Sequence, residues 1–266
     1  MAAPARLGRE VGNVAEVLFY ERPVPLNRTA HKDLRIKGLQ NLKFAHGVHS
    51  VPLTCTEFPV TARDIPILFA GPDMANAGPM ALLGLRQNEN LFLDTDGQWV
   101  QGVYIPAFVR RYPFVLAEKP PGAEGDDFTV FLDEAYEGFN DEEGERLFQE
   151  DGSETDMLKN AVSFLGEFQQ HVARTKQFMD DLKKHDLLEP RNVRLERNGN
   201  VLNLNGLFVV NEEKLRKIDA AIAHQFLADG TMGWIYAHLL SLSNIDRVGQ
   251  RLAQREEVEA ANVTKN

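Results

Sequence analysis

One pattern in the second half of the chain constrains the fold more than any other. Apolar residues recur every seven positions in two offset rows, which are Leu158, Leu165, Val172 and Met179, and Ala161, Phe168, Thr175 and Leu182. The two rows form one apolar stripe, which is typical of a long amphipathic helix packed on a core. Ser153 and Asp156 have the spacing of a capping box and predict the start of this helix, and Pro190 predicts its end.

The first half of the chain is strand-like. Its short apolar runs lie at 65–70, 80–85, 113–118 and 128–132. Such runs, separated by loops rich in glycine and proline, predict β-strands. The dipeptide Asp96-Gly97 predicts a two-residue hairpin turn that pairs Leu93 with Val100, because both turn positions favour positive φ. We therefore expect residues 80–104 to form an antiparallel meander.

The end of the chain returns to helical patterns after one more predicted hairpin. A turn at Asn198-Gly199 would pair Val193 with Leu204 and Leu195 with Leu202. Beyond it, Asn211 predicts the N-cap of a helix that ends at Asp229-Gly230, and a final helix is predicted over 232–253.

These patterns together predict an α+β fold. We expect a mostly antiparallel sheet packed against the long amphipathic helix and two C-terminal helices. We also expect one domain over residues 15–253, with frayed tails at 1–14 and 254–266.

The amino-acid composition limits the classes of partner that we expect for this chain. The chain has 29 Lys and Arg residues against 39 Asp and Glu residues, which gives a net charge of −10. Nucleic acid is therefore not an expected partner, because phosphate binding needs a basic face. We expect no transmembrane segment, since no stretch approaches the roughly 20 apolar residues that span a bilayer. The single cysteine, Cys55, allows no disulfide within the chain, and we expect a cytoplasmic protein.

Motifs of catalysis are lacking. The chain has no Gly-x-Ser-x-Gly elbow, no phosphate-cradling glycine loop and no His-Glu-x-x-His sequence. His46 and His49 have a spacing that suits a metal, but the sequence supplies no third ligand. We therefore predict no catalytic residues, no metal site and no cofactor, and favour a non-enzymatic role.

Two clusters are candidate ligand-binding sites. Arg110, Arg111 and Tyr112 place two guanidinium groups beside aromatic residues, where they could bind a carboxylate or phosphate bidentately. The alternative is that these arginines pair with the acidic residues at 126–133. The second cluster lies on the last predicted helix, where Trp234, His238 and Asn244 could line a pocket. A buried helix with satisfied polar groups is the alternative there.

Several motifs resemble the SapC family of bacterial proteins. They are EFP at 57–59, IPILF at 65–69, LGL at 83–85, ENLF at 89–92, YIPAFVRRYPF at 104–114, LF at 147–148, DG at 151–152, LNGLFVVNEEKL at 204–215 and GWIYAHLLSL at 233–242. The resemblance spans roughly residues 51–252.

The resemblance implies a function in general terms. The family is named for a component of the bacterial surface (S-) layer, and its genes often neighbour those of TonB-dependent receptors and tryptophan halogenase-like enzymes. It therefore implies an accessory protein in the uptake or processing of a peptide or other exogenous compound, with a small molecule, a peptide or a protein as its partner. A surface-layer structural protein and a peptide-modifying enzyme are the alternatives. The resemblance supplies no catalytic residues.

Overall fold

The computed structural model describes residues 18–118, 128–197 and 200–263. The strands are β1 (Pro23–Pro25), β2 (Arg35–Ile36), β3 (Ser50–Pro52), β4 (Ile67–Ala70), β5 (Gly78–Leu82), β6 (Phe114–Glu118), β7 (Phe128–Asp133), β8 (Phe139–Asn140), β9 (Glu145–Arg146), β10 (Leu188–Arg197) and β11 (Asn200–Val210). The α-helices are α1 (Phe58–Thr61), α2 (Ala107–Arg110), α3 (Asp156–Lys184), α4 (Glu212–Arg216), α5 (Ala220–Ala228), α6 (Thr231–Ser241) and α7 (Asn244–Val263). Short 3₁₀ turns span Lys43–Ala45 and Cys55–Glu57. This mixture of helices and antiparallel sheets confirms the predicted α+β class.

The largest sheet joins the two halves of the chain. Its strand order is β10-β11-β4-β5-β3, with antiparallel neighbours throughout. The predicted pairing of Val193 with Leu204 and of Leu195 with Leu202 is confirmed, whereas the turn residues 198–199 lie outside the described part. Strand β11 also pairs with β4, so the late hairpin is anchored to a strand from the first half. Two smaller sheets, β1-β7-β6 and β8-β2-β9, complete the sheets of the described residues.

Helix α3 is the predicted amphipathic helix, with a corrected start and end. Thr155 is its N-cap, and its hydroxyl accepts a hydrogen bond from the Leu158 amide at 3.3 Å. Ser153 does not cap the helix, because its hydroxyl donates to the Asp151 carboxylate at 2.6 Å. The stripe is buried except at Ala161, which is partly buried, and at Val172, which is 41% exposed. The helix ends at Lys184, before the predicted Pro190.

The two predicted C-terminal helices are each divided. Asp219 interrupts the first, because its carboxylate caps α5 by accepting from the Ala221 amide at 2.8 Å. The predicted cap at Asn211 is confirmed, since its side chain accepts from the Lys214 amide at 2.8 Å. The second predicted helix is divided into α6 and α7, and α7 continues to Val263 where we expected a tail from residue 254.

The predicted meander at 80–104 is wrong beyond β5. Only an isolated bridge, Leu93 with Trp99, follows at this turn in the described chain, one residue out of the predicted register. The reason is Asp94, whose carboxylate accepts the amides of Asp96 and Gln98 at 2.9 and 2.8 Å and so closes a wider loop. Gly97 has φ +80°, whereas Asp96 does not have positive φ.

The main core lies between the five-stranded sheet, α3 and α6. Phe178 of α3 contacts Phe58 and Phe69 with ring centroids at 5.7 and 6.3 Å. Helix α6 packs on β4 and β11. Helix α3 also contacts both regions that the sequence marks as candidate sites, because Phe164 lies beside Arg110 and Phe178 lies beside Trp234.

Candidate functional site

Helix α2 presents Arg110 at the surface. Ala107, Phe108 and Val109 are buried, so the fourth residue of this short helix, Arg110, is the one that faces outward. The main chain of α2 is fixed at its start, where the Ala107 amide donates to the carboxylate of Glu57 at 2.7 Å. The position of Arg110 therefore depends on a buried acidic residue that is distant in sequence.

The guanidinium of Arg110 is held in a defined orientation. Its Nε donates to the Ile105 carbonyl at 2.9 Å, and its Nη2 donates to the Tyr104 hydroxyl at 2.9 Å. Its central carbon lies 5.4 Å from the Tyr104 ring centroid and 5.1 Å from that of Phe164 on α3. Its Nη1 has no hydrogen-bond partner among the described residues. Arg110 is thus an exposed, oriented cation with a donor group left for a ligand.

The buried carboxylate of Glu57 holds Tyr104 and the start of α2 in place. Its carboxylate is buried and accepts four hydrogen bonds, from the Tyr104 hydroxyl (3.0 Å), the Ala107 amide (2.7 Å), and the Thr54 amide and hydroxyl (3.0 and 2.7 Å). Burial, followed by the nearby Glu57 carboxylate, raises the pKa of Tyr104, so the phenol stays protonated. The phenol can then donate to Glu57 while it accepts from Arg110.

Sequence reasoning missed the roles of Glu57 and Tyr104. A signal for the first was present, because Thr54 and Glu57 have the Thr-x-x-Glu spacing of a capping box. That spacing predicts a local contact only. The bond from Tyr104 to Glu57 spans 47 positions and follows from the tertiary fold.

Arg111 is turned inward behind Arg110. Its guanidinium carbon lies 4.0 Å from the Phe108 ring centroid and 5.4 Å from that of Phe168 on α3. Its Nε is buried and has no hydrogen-bond partner in the described chain. Burial lowers the pKa of Arg111, and the nearby Tyr20 hydroxyl partly offsets that effect. The result is a poorly solvated cation next to an exposed one.

The predicted alternative was a pairing of these arginines with the acidic residues at 126–133. Asp133 is fully buried and accepts hydrogen bonds from the Glu21 and Arg22 amides at 3.0 and 2.8 Å. No ion pair joins Asp133 to Arg110 or Arg111 in the described residues. Residues 126–127 lie outside the described part of the chain.

Tyr112 points away from the two arginines. Its hydroxyl donates to the Asp133 carboxylate at 3.2 Å, and its ring stacks on Phe44 at 4.1 Å. Burial, together with the charge of Asp133, raises the pKa of Tyr112. Tyr112 is therefore a core residue of the neighbouring aromatic cluster, and it offers no polar atom to a ligand at Arg110.

Trp234, in the second predicted cluster, packs on α3. Its ring meets Phe178 edge-on at 5.8 Å, and the Arg174 guanidinium lies 5.0 Å from the Trp234 ring centroid. The indole is partly buried. Trp234 therefore joins α6 to α3 at a different level of that helix from Arg110.

His238 of α6 is a bridge within the core. It is fully buried, and its Nε2 accepts from the Val210 amide at 3.1 Å. Its Nδ1 therefore carries the proton and donates to the Ile67 carbonyl at 2.9 Å. Burial lowers the pKa of His238 to about 4, so the ring is neutral at pH 7. Both ring nitrogens are therefore hydrogen-bonded, one to strand β11 and the other to strand β4.

The side-chain amide of Asn244 also has its hydrogen-bond partner within the fold. Its side chain is buried, and its amide group donates to the Ala62 carbonyl at 2.8 Å. In the described chain, no hydrogen bond or ring contact joins Trp234, His238 or Asn244 to Arg110 or Arg111. The six predicted site residues therefore divide into an arginine pair over α3 and four residues that hold the fold together.

An open depression of about 560 Å³ is lined by Arg146, Gln149, Glu150, Asp151 and Ser153, and it contains none of the predicted site residues. Among the described residues, no three His, Cys, Asp or Glu side chains are placed to hold a metal ion. Within the same ranges, no helix is both long and apolar enough to cross a membrane.

Comparison with known protein families places this chain in one of them. The model of the SapC family matches residues 26–248 of the 266 in the chain. The chain belongs to the SapC family. We find no match among curated proteins or among solved structures. In this SapC-family chain the matched span includes the Glu57–Tyr104–Arg110 arrangement and all of α6.

Proposed function

We propose that this SapC-family protein is a non-catalytic binding protein that recognises a carboxylate through Arg110. The observation that carries the proposal is the oriented guanidinium of Arg110, which keeps its Nη1 unpaired in the described chain while Nε and Nη2 are fixed. A carboxylate bound there forms charge-assisted hydrogen bonds, which are about twice as strong as neutral ones. The ligand class is a peptide, a carboxylate-bearing small molecule, or a carboxylate on a partner enzyme.

Arg111 strengthens the site without touching the ligand. Its charge is poorly solvated because it lies among Phe108 and Phe168, and its field is therefore weakly screened. An anion next to Arg110 gains from this field. The Tyr104 and Phe164 rings beside Arg110 supply an apolar surface for the body of an aromatic or aliphatic acid.

Benzoate is a minimal probe of this proposal. We expect benzoate, but not benzamide, to shift the Nε–H resonance of Arg110 in a ¹H–¹⁵N spectrum. Arg110→Gln, followed through the backbone amide resonances of α2, should weaken benzoate binding by roughly 10-fold or more, the scale of one charge-assisted hydrogen bond. Arg28→Gln is the matched control, since it also removes one exposed positive charge but lies elsewhere. An equal response of both variants, or an equal response to benzamide, would contradict the proposal.

Peptides distinguish the ligand classes. Fluorescein-labelled hexapeptides of mixed sequence can be compared with a free carboxyl end and with an amidated end. If a peptide is the ligand, the free acids bind more tightly than benzoate and lose that advantage with Arg110→Gln. If benzoate binds and the peptides do not bind better, a small molecule is favoured.

We also propose a cytoplasmic accessory role in the uptake or processing of the recognised compound. The single cysteine supports it, because Cys55 is buried and free, as is usual in a reducing compartment. Cell fractionation tests this location. A pool of the protein in the surface layer would instead favour the structural alternative.

A further inference from the structure

Residues 18–22 form a strap over the aromatic cluster behind the arginine pair. The Tyr20 hydroxyl donates to the Phe114 carbonyl at 2.7 Å, and the Tyr20 ring meets that of Tyr112 edge-on at 5.4 Å. At the other end of the strap, its last two amides donate to the buried carboxylate of Asp133 at 3.0 and 2.8 Å. The strap is therefore attached at two points, by Tyr20 and by Asp133.

The strap and Arg111 bury each other. Tyr20 is buried, and burial raises the pKa of its hydroxyl while the adjacent charge of Arg111 lowers it. The ring of Phe19 contacts that of Phe108 with centroids 5.6 Å apart, and Arg111 packs on the same Phe108 ring at 4.0 Å. The strap in this closed position therefore helps to keep water from the Arg111 guanidinium.

The closed strap carries two unfavourable features. Phe19 has φ +84°, a left-handed conformation that aromatic residues rarely adopt. The buried Nε of Arg111 has no hydrogen-bond partner in the described chain, and an unpaired buried donor is costly. Detachment of residues 18–20 would relieve both, because Phe19 could return to negative φ and water could reach the guanidinium. An anion beside Arg111 offsets the second cost while the strap stays closed.

The carboxylate site at Arg110 is the place where such an anion binds. Arg110 lies 5.1 Å from the Phe164 ring centroid, and Arg111 lies 5.4 Å from that of Phe168. These two phenylalanines are one turn apart on α3, so the two guanidinium groups are neighbours over one row of rings. A carboxylate on Arg110 is therefore within the field of Arg111.

We propose that the strap and the carboxylate site are coupled through the charge of Arg111. A carboxylate on Arg110 favours the closed strap, and the closed strap strengthens carboxylate binding. With the strap closed, the field of Arg111 is weakly screened, whereas water screens it once residues 18–20 detach. The coupling is reciprocal, as linkage between two sites requires. This inference rests on the proposed function, and it assigns to the strap the regulation of the same site.

Hydrogen exchange of the full chain, measured by mass spectrometry, tests the effect of the ligand on the strap. We expect saturating benzoate to slow exchange of the strap amides by about 5-fold, at the lower end of typical coupling between sites. Benzamide should leave exchange unchanged, because it carries no charge. Arg111→Met should remove the effect of benzoate on the strap, because the charge that connects the two is then absent.

Benzoate titration of strap variants tests the reverse direction. Tyr20→Ala should weaken benzoate binding by the same factor of about 5, since it detaches the strap and exposes Arg111 to water. Tyr136→Ala is the matched control: Tyr136 also meets Tyr112 edge-on, at 5.6 Å, but its hydroxyl donates to the Lys37 carbonyl. In the Arg111→Met background, Tyr20→Ala should have no further effect on binding. Should Tyr20→Ala fail to fold by circular dichroism, Tyr20→Phe removes only the hydroxyl and should act in the same direction.

The outcomes separate this inference from the proposed function. If benzoate binds at Arg110 and strap exchange does not change, the coupling is overturned and the proposed function stands. The coupling also fails if Tyr136→Ala weakens binding as much as Tyr20→Ala, or if the effect of Tyr20→Ala persists in the Arg111→Met background. Absence of benzoate binding to the wild type overturns both.

Discussion

His238 and Arg111 are both polar side chains packed on aromatic rings, yet the fold treats them differently. His238 lies 4.6 Å from the Phe69 ring, and both its nitrogens are hydrogen-bonded to the main chain of two strands. Arg111 lies 4.0 Å from the Phe108 ring, and its buried Nε has no partner in the described chain. The first environment uses all of the side chain's bonding capacity. The second leaves a cation whose charge is available to a ligand.

The number of hydrogen-bond partners within the chain distinguishes a structural polar group from one that is a candidate binding site. Residue type alone does not, because histidine, asparagine, tryptophan and arginine all occur in binding sites. A buried polar group whose partners are all internal stabilises the fold, and its loss leaves those partners unpaired. A group without internal partners contributes little to stability.

His238→Ala should lower the free energy of unfolding by about 4 kcal/mol. The substitution leaves the Val210 amide and the Ile67 carbonyl without a partner and opens a cavity beside Phe69. Urea unfolding followed by circular dichroism measures the change. His224→Ala is the control, because His224 is exposed on α5, and it should change stability by no more than about 0.5 kcal/mol. A loss below about 1 kcal/mol for His238→Ala would show that the bridge is not structural.

Acid should remove part of this stability through the same side chain. The pKa of His238 falls from 6.5 in the unfolded chain to about 4 in the folded one, so between these values the unfolded chain binds more protons. Stability attributable to His238 is therefore complete above pH 6.5 and falls as the pH drops to about 4. The loss is about 3 kcal/mol, from 1.36 kcal/mol per pKa unit.

The difference between the wild type and His238→Gln isolates this contribution. Burial also lowers the pKa of His49, but that contribution is common to both proteins and cancels. Unfolding free energies measured at several pH values from 7 to 4 should converge as the pH falls, because glutamine does not titrate. Parallel curves would mean that folding does not shift the pKa of His238.

A smaller effect is expected at the start of α3. Thr155→Ala should lower the free energy of unfolding by about 1 kcal/mol, the usual cost of an N-cap. Ser153→Ala should have almost no effect, because Ser153 bonds only within its own exposed turn. Parallel urea titrations of the two variants compare a polar group that satisfies the helix with one that does not. A larger loss of stability for Ser153→Ala than for Thr155→Ala would instead identify Ser153 as the cap.

Several features of the structure can be predicted from the sequence, and others cannot. Local chemistry was sufficient for the stripe of α3, for the cap at Asn211 and for the pairing of Val193 with Leu204. It failed by one residue at the turn around Asp96, where the carboxylate of Asp94 changes the loop. A dipeptide pattern does not contain that competing side-chain bond.

The candidate site was predictable only in part. Two adjacent arginines within an apolar motif single out the segment that carries the candidate site. The hydrogen bonds that hold Tyr104 and His238 connect residues far apart in the chain: Tyr104 bonds to Glu57 across 47 positions, and His238 bonds to Ile67 across 171. Helical periodicity places His238 on a face of α6 but does not say which strand lies opposite. Whether a polar group is satisfied is thus a property of the tertiary fold.

The smallest expected effect is the most informative for the comparison. Arg111→Met should leave the free energy of unfolding within about 1 kcal/mol of the wild type, or raise it, because a largely desolvated guanidinium, whose buried Nε is unpaired in the described chain, gives way to an apolar side chain of similar length. Arg110→Met, at the exposed neighbour, controls for the loss of one charge. Urea unfolding at two salt concentrations measures both.

A loss of about 3 kcal/mol or more for Arg111→Met alone is the cost of breaking a compensated buried ion pair. That result would place Arg111 in the same class as His238, a polar group whose partners are internal. The field that we assign to it at the carboxylate site would then be neutralised within the chain, leaving Arg110 as the only cation of the pair available to a ligand.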